Sequence, residues 1–474
     1  MRGAWTAVIA LALLGACDDG GEASGPADAG LDLAMLDGAL PDGAAPDMAR
    51  DGANPDGAPP ADMTPPADMA PPDMAPPGVF HPGPYGTGWR DVAGPFVVPT
   101  TTGTFDYRAR YEAEQSSVVV TLVVPGHEYT QALLASPFSA LVLNAPRSAH
   151  YLFVALQAQD GSVDIAGLMD ELQTEADFFL RDLPVEEKQH WFDHIHFATV
   201  PAQQVEGWLG DAVRTLQRFH FAVDPQQRLR QVGNTGDPVT GFQPTLAALG
   251  WEATYYDYEQ GRDASLAAVL AGAEHHAEVA FAREVPEDQP FHVAESRFDV
   301  TWPADVGRYD TLVVDLTMHC PGHDDANCGE WDYLAHLRAC ADVDGEERCD
   351  TEIARWITTY AREGRWVTDL TPMIAHLEHL GWPTRFRFHN PGQPNGGTYD
   401  LKITFHLLDT GAPDRPTGWQ PMFGGGAFTE AYNEGREPLA FNVAEGTTRV
   451  ELVTLTTGHG FGRDAANCAE FCNH

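Results

Sequence analysis

Apolar and polar positions divide the chain into three regimes. Residues 7–14 are an unbroken apolar run, residues 18–77 show no periodicity, and from about residue 80 dense β-rich and helical patterns follow. Within 80–289 the runs 118–124 (VVVTLVV), 151–156 (YLFVAL), 194–200 and 219–224 (FHFAVD) predict strands, and 164–180 and 204–219 predict helices. Strands separated by helices imply a parallel or mixed sheet, so this segment reads as an α/β domain. After about residue 290 the pattern becomes short alternating runs punctuated by Gly, Pro and Asn: SRFDVTWP, DTLVVDLTMHC, EWDYLAHLRAC, ARWITTY, RFRFH, TYDLKITFHLL and TRVELVTLTTG. That spacing predicts an all-β antiparallel sandwich, immunoglobulin-like or jelly-roll. A Gly/Pro-rich break at 411–418 separates it from the start of a second sandwich, giving 290–411 and 412–474.

The N-terminal run follows Arg2 and is too short to span a bilayer, which is the pattern of an export signal over residues 1–16. Leu14-Gly15-Ala16-Cys17 resembles the lipobox of bacterial lipoproteins, which implies acylation of Cys17; the alternative is an ordinary secretory signal with a stray cysteine. Residues 17–79 are almost wholly Ala, Pro, Asp, Gly and Met, with a near-repeat of Ala-Asp-Met-(Ala/Thr)-Pro-Pro at 61–77. Such a segment cannot bury enough apolar area to offset ordering entropy and is expected to be a disordered, extended linker. Lys+Arg number 28 against Asp+Glu 69, and the net charge of -41 argues against nucleic acid and against peripheral binding to anionic lipid. Membrane association is therefore expected through lipid at Cys17, placing the protein in the bacterial cell envelope, periplasmic or surface-exposed.

The remaining cysteines form three close couples: Cys320 with Cys328, Cys340 with Cys349, and Cys468 with Cys472. In an exported chain such spacing reads as disulfides. Zinc held by Cys468, Cys472 and His474 is the competing reading. None of these cysteines lies in the α/β segment, so redox catalysis there is disfavoured. That segment carries His190, His194 and His196 (HWFDHIH), with His194 and His196 expected on one strand face. Surface or core histidines are the favoured reading over a metal site, and no metal and no cofactor are assigned.

Two of the cysteine loops share one pattern. Gly322-His323-Asp324-Asp325-Ala326-Asn327-Cys328-Gly329-Glu330-Trp331-Asp332 matches Gly462-Arg463-Asp464-Ala465-Ala466-Asn467-Cys468-Ala469-Glu470-Phe471-Cys472 at six of eleven positions. Internal duplication of a braced loop explains the match; the functional reading is that each loop sets a carboxylate beside an aromatic plate, the pairing a sugar-binding cleft needs.

At these residues the chain resembles the peptide-N-glycosidase F family, amidases that release N-linked glycans. The resemblance covers about 290–474. It is carried by FDVTWPADVGRYDTLVVDLTMHCPGHDDANCGEWDYLAHL, ARWITTY and TRVELVTLTTGHGFGRDAANCAEFC. It implies two adjacent jelly rolls with a cleft between them, Asp332 as catalytic carboxylate and Glu470 as its partner. Glu330, Trp331, Tyr333 and Phe471 are then expected to line the substrate site. The family pattern differs here at Tyr333, an arginine in the family, and at Phe388-His389-Asn390-Pro391, which carries no carboxylate. It also runs on beyond the length given, so the second jelly roll is expected to be truncated. A thioredoxin-like domain is suggested for 80–289 by its element order and by FAVDPQQRLRQVG at 221–233.

The expected substrate is a glycoprotein or glycan. The alternatives are a noncatalytic carbohydrate- or protein-binding lipoprotein and, from tandem jelly rolls shared with copper-dependent monooxygenases, a copper enzyme. Met318, His319, His323, His336, His389 and His406 are that reading's candidates by residue type.

Overall fold

The computed structural model describes residues 5–12, 78–157, 161–216, 218–232, 245–283, 295–328, 334–359, 362–389, 399–422, 434 and 437–455. Strand β1 (Trp5–Ala12), inside the expected export signal, pairs in parallel with segments 416–421 and 447–455. An extended apolar run can join strand edges in this way. Contacts divide the chain into one unit of residues 23–229 and another of 1–22 with 230–474. Taken as a whole it is multidomain and β-rich, with several sheets and fewer helices.

The 23–229 unit opens on a hairpin of β2 (Val97–Thr100) and β3 (Gly103–Asp106). Helix α1 (Tyr107–Glu114) starts where the Asp106 carboxylate accepts the Ala109 N–H at 3.1 Å, satisfying an otherwise orphaned donor. Then follow β4 (Val118–Val123), α2 (Glu128–Leu134), α3 (Phe138–Asn144), β5 (His150–Ala155), α4 (Ile165–Leu180) and α5 (Val185–His194). The unit is completed by β6 (Ile195–Phe197), α6 (Gly207–Leu216), β7 (His220–Val223) and β8 (Leu229–Gln231), whose last two residues belong by contacts to the other unit.

The sheet order is β6-β5-β4-β7-β8, with β5 parallel to β4 and β6 and with β7 antiparallel to β4. It is the mixed sheet that alternating strands and helices imply. Every residue of β4 and β5 is buried, which is why these runs are apolar at nearly every position, Thr121 and His150 excepted, rather than at alternate ones. Phe96, Val120, Leu152, Trp208 and Phe221 lie in one core cluster. The strand expected at 194–200 is shorter because His194 is still the last residue of α5.

In the other unit α7 (Leu246–Ala271) begins at Thr245, whose hydroxyl accepts the Ala248 N–H. It is followed by β9 (Glu274–Arg283), β10 (Glu295–Asp299), β11 (Thr311–His319), β12 (Leu334–Val343), β13 (Glu346–Ile357) and β14 (Gly364–Asp369). After α8 (Ile374–His379) come β15 (Arg385–His389), β16 (Asp400–Asp409), β17 (Pro416–Pro421) and β18 (Thr447–Leu455). Two four-stranded antiparallel sheets result, β10-β15-β12-β13 and β14-β11-β16-β9, beside the small sheet β17-β1-β18.

The two larger sheets share one core. Phe298, Leu337, Ile353, Phe386 and Phe388 from the first meet Leu312, Val314, Leu316, Ile403 and Phe405 from the second in a single cluster. Leu266 of α7 clusters with Val313 and Leu408 instead, so the second sheet is covered on its other face as well. That second layer accounts for the unbroken buried run along β16. The contact division therefore falls at 229/230, and α7, inside the expected 80–289 segment, belongs with the β-rich unit.

Two expected disulfides are present, Cys320–Cys328 and Cys340–Cys349. The second crosses the β12–β13 hairpin, whose tip takes Asp344 and Gly345 at φ 57° and 83°, the left-handed pair that a tight hairpin turn requires. Cys17, Cys468, Cys472 and His474 lie outside the described residues. Among the described residues no helix is long and apolar enough to cross a membrane.

Candidate functional site

Strand β11 delivers His319 to the mouth of a loop that Cys320 and Cys328 close, with their Cα atoms 4.9 Å apart. Gly322 and His323 turn the chain at φ 66° and 58°, the left-handed region that favours glycine at the first of the two. The loop then ties itself. The His323 N–H donates to the Cys320 carbonyl at 2.8 Å, the Asn327 N–H to the Asp324 carbonyl at 2.9 Å, and the Cys328 N–H to the Asp325 carbonyl at 3.0 Å. Asn327 Nδ2 donates to the Pro321 carbonyl at 2.9 Å. Gln231 clamps the loop from outside: its Nε2 donates to Asp324 Oδ1 at 2.9 Å and its Oε1 accepts the Asp325 N–H at 3.0 Å.

This geometry explains most of the duplicated pattern. Of the six residues common to both loops, Gly322, Asp324, Asn327 and Cys328 serve the turn, the internal bonds and the disulfide. The shared glutamate, Glu330 in the first loop, lies outside the described residues.

The loop also assembles a polar cluster. Glu363, buried, takes His323 Nδ1 at 2.6 Å on one oxygen and His319 Nδ1 at 3.2 Å on the other. Next to it in sequence, Arg362 makes a two-point pair with Glu252 of α7 at 2.7 and 3.0 Å and lies over the Tyr255 ring. Arg230 pairs with Glu259 at 2.7 Å. Burial pushes the Asp325 carboxyl up to about 7, with Glu252 and Glu363 adding to the rise while Arg362 and Arg230 oppose it. Its side chain keeps a partly exposed edge, so water tempers that rise. Burial also raises the Tyr255 hydroxyl to about 12. A carboxyl poised near neutrality in the field of Glu363 and Glu252 can accept, hold and return a proton.

Asp332, Glu330, Trp331 and Tyr333 lie outside the described residues, as do Glu470 and Phe471. Both flanks of the first group are nonetheless held, by the disulfide at Cys328 and by β12, whose first residue Leu334 pairs with Ile357.

Of the histidines and methionine grouped by type, the fold brings His319 and His323 together at Glu363 and places the others elsewhere. Met318 is sealed in the core, and His406 is buried on β16. His336 sits with Nδ1 3.2 Å from Glu352, and its ring centre is 6.2 Å from that of His389. In the α/β unit His194 ends α5 while His196 lies on β6, so the expected single strand face for the two does not form. Glu363, Arg362, Glu252 and Gln231 carry no motif; they reach the loop from other elements, which no local spacing reveals.

No family model and no curated protein matches the chain. Among solved structures, a recombinant peptide:N-glycanase F (PNGase F) is 21% identical over 28% of this chain and 41% of its own, with a TM-score of 0.23. PNGase F from Flavobacterium meningosepticum, described as a glycosylasparaginase, is 19% identical over 30% and 43%, with a TM-score of 0.23. A thiol:disulfide interchange protein, DsbE, from Chlorobium tepidum is 15% identical over 30% of this chain and 83% of its own, with a TM-score of 0.19. The chain is thus similar to PNGase F in part, and its match spans under half the length of either PNGase F structure.

Proposed function

We propose that the chain is an envelope lipoprotein, held by lipid at Cys17, whose β-rich unit hydrolyses the amide bond between an N-glycan and asparagine. The observation that carries this reading is the duplicated loop, in which Gly322, Asp324, Asn327 and Cys328 build a rigid brace directly before Glu330-Trp331-Asp332. A brace of that kind has a use where the residues after it must be aimed. Asp332 directs water onto the side-chain carbonyl of the asparagine, Glu330 and Glu470 hold polar groups of the glycan, and Trp331 and Phe471 stack on sugar faces. The C–N bond breaks, leaving aspartate in the peptide and a glycosylamine. In this reading the two larger sheets form a jelly roll, β17 and β18 begin a second, and the α/β unit is a thioredoxin-like scaffold without a redox cysteine pair.

The test is incubation of the purified full chain with a fluorescent N-glycopeptide, followed by mass spectrometry for conversion of asparagine to aspartate. Release that disappears in Asp332→Asn is the expected result. Saturable glycopeptide binding without release overturns the hydrolase and leaves a carbohydrate-binding lipoprotein, the reading favoured by Tyr333 and by the carboxylate-free Phe388-His389-Asn390-Pro391 segment.

A further inference from the structure

The α/β unit gathers four histidines and one glutamate at the meeting of four elements, His196 coming from β6. Glu114 ends α1, His150 opens β5 and His194 ends α5. His150 is fully buried and His194 is 6% exposed. Glu114 Oε2 lies 3.8 Å from His150 Nε2 and 3.4 Å from His194 Nε2, and these donor atoms all fall within 4.8 Å of one another. Both Nε2 atoms are buried, and apart from the Glu114 carboxylate that faces them no described group lies within hydrogen-bond geometry of either, a costly arrangement for ring nitrogens unless something else is bound there.

The other ring nitrogens are engaged. His194 Nδ1 is 2.7 Å from the His190 carbonyl, so Nδ1 carries the proton and Nε2 presents its lone pair toward Glu114. His150 Nδ1 is 3.1 Å from His196 Nε2, a contact that holds the His150 ring in place. A metal-bound histidine characteristically has its second nitrogen held like this. Beside the group, His190 offers a further buried Nε2 with no partner, its ring centre 3.9 Å from that of His194.

We propose that Glu114 Oε2, His150 Nε2 and His194 Nε2 bind a divalent first-row transition cation, zinc by the mixed imidazole and carboxylate donor set. Bonds of about 2.0–2.2 Å to three tetrahedral donors need them roughly 3.3–3.5 Å apart, so binding draws together donors that lie up to 4.8 Å apart and turns the His150 and His194 rings out of their near-parallel stack, with centroids 4.4 Å apart at 5°. Water or His190 Nε2 takes the fourth position, and His196 positions the His150 ring without touching the ion. The ion ties the ends of α1 and α5 to the start of β5, stapling a unit that has no disulfide among its described residues. The site is independent of the loop at Cys320–Cys328.

The full chain, with any affinity tag removed and dialysed against metal-free buffer, is titrated with zinc chloride against a chromophoric chelator, and with cobalt chloride by visible spectroscopy. One zinc per chain and the intense bands of tetrahedral cobalt are expected, together with a rise in unfolding temperature on adding zinc. Glu114→Gln, at a partly exposed helix end, and His196→Ala should each weaken zinc binding roughly 10- to 100-fold. Asp332→Asn should bind zinc as tightly as the unaltered chain, which separates this site from glycan hydrolysis. Lack of stoichiometric zinc in the unaltered chain overturns the proposal. So does unchanged affinity in Glu114→Gln with native circular dichroism, a variant that serves where His150→Ala fails to fold.

Discussion

Arg362 meets Glu252 in a two-point pair, with guanidinium nitrogens 2.7 and 3.0 Å from the two carboxylate oxygens. The glutamate side chain is 3% exposed and the arginine side chain 20%. The pair joins α7 to the segment carrying Glu363, and through Glu363 to His319 and His323.

Arg362→Met should leave the Glu252 carboxylate buried and uncompensated, and removal of one partner of such a pair costs about 3–5 kcal/mol. Chemical denaturation followed by tryptophan fluorescence measures this. The double variant Arg362→Met with Glu252→Leu should recover most of the loss, because no charge is then stranded. Loss in the double variant as large as in the single one contradicts the account.

Asp325 gives a pH dependence of definite sign. Folding raises its pKa to about 7, so between its ordinary carboxylate range and neutrality the folded chain holds a proton that the unfolded chain has released. The stability it contributes is complete below the unfolded pKa and is lost as pH rises through about 7. Relative to the unaltered chain, Asp325→Asn should gain on the order of 1–2 kcal/mol between about pH 5 and about pH 8, after allowing for its partly exposed edge. Urea unfolding at the two pH values reads the gain; a difference independent of pH excludes it.

Removing the loop brace should act on function more than on fold. Cys320→Ser with Cys328→Ser opens a short loop, which costs about 2–3 kcal/mol by chain entropy. Glycopeptide turnover should fall by more than the folded fraction accounts for, since the segment 329–333 loses its hold at Cys328. Comparing turnover with the fraction folded by circular dichroism at the same temperature separates the two effects. Turnover that tracks the folded fraction alone removes the brace from the mechanism.

Much of the architecture was legible in one dimension. VVVTLVV and YLFVAL marked the central strands β4 and β5 because strands buried on both faces read as near-continuous apolar runs. The alternating runs after 290 marked seven further strands, and the cysteine spacing marked two disulfides. Short helices such as α5 were less legible: its HWFDH end reads as well as the entry to a strand, and only its hydrogen bonds carry the helix through His194.

The sequence by itself determined the short apolar run near the N-terminus, the acidic Ala/Pro-rich composition that follows it, the duplicated loop and the residues within it that make its turn. Those are properties of neighbouring residues and of local backbone sterics. Tertiary structure alone decided that α7 packs on the β-rich unit, that Glu363 sits between His319 and His323, and that Glu114, His150 and His194 converge. Each of those groupings draws on segments far apart in the chain, and the burial that moves Asp325 toward neutrality exists only once they have packed.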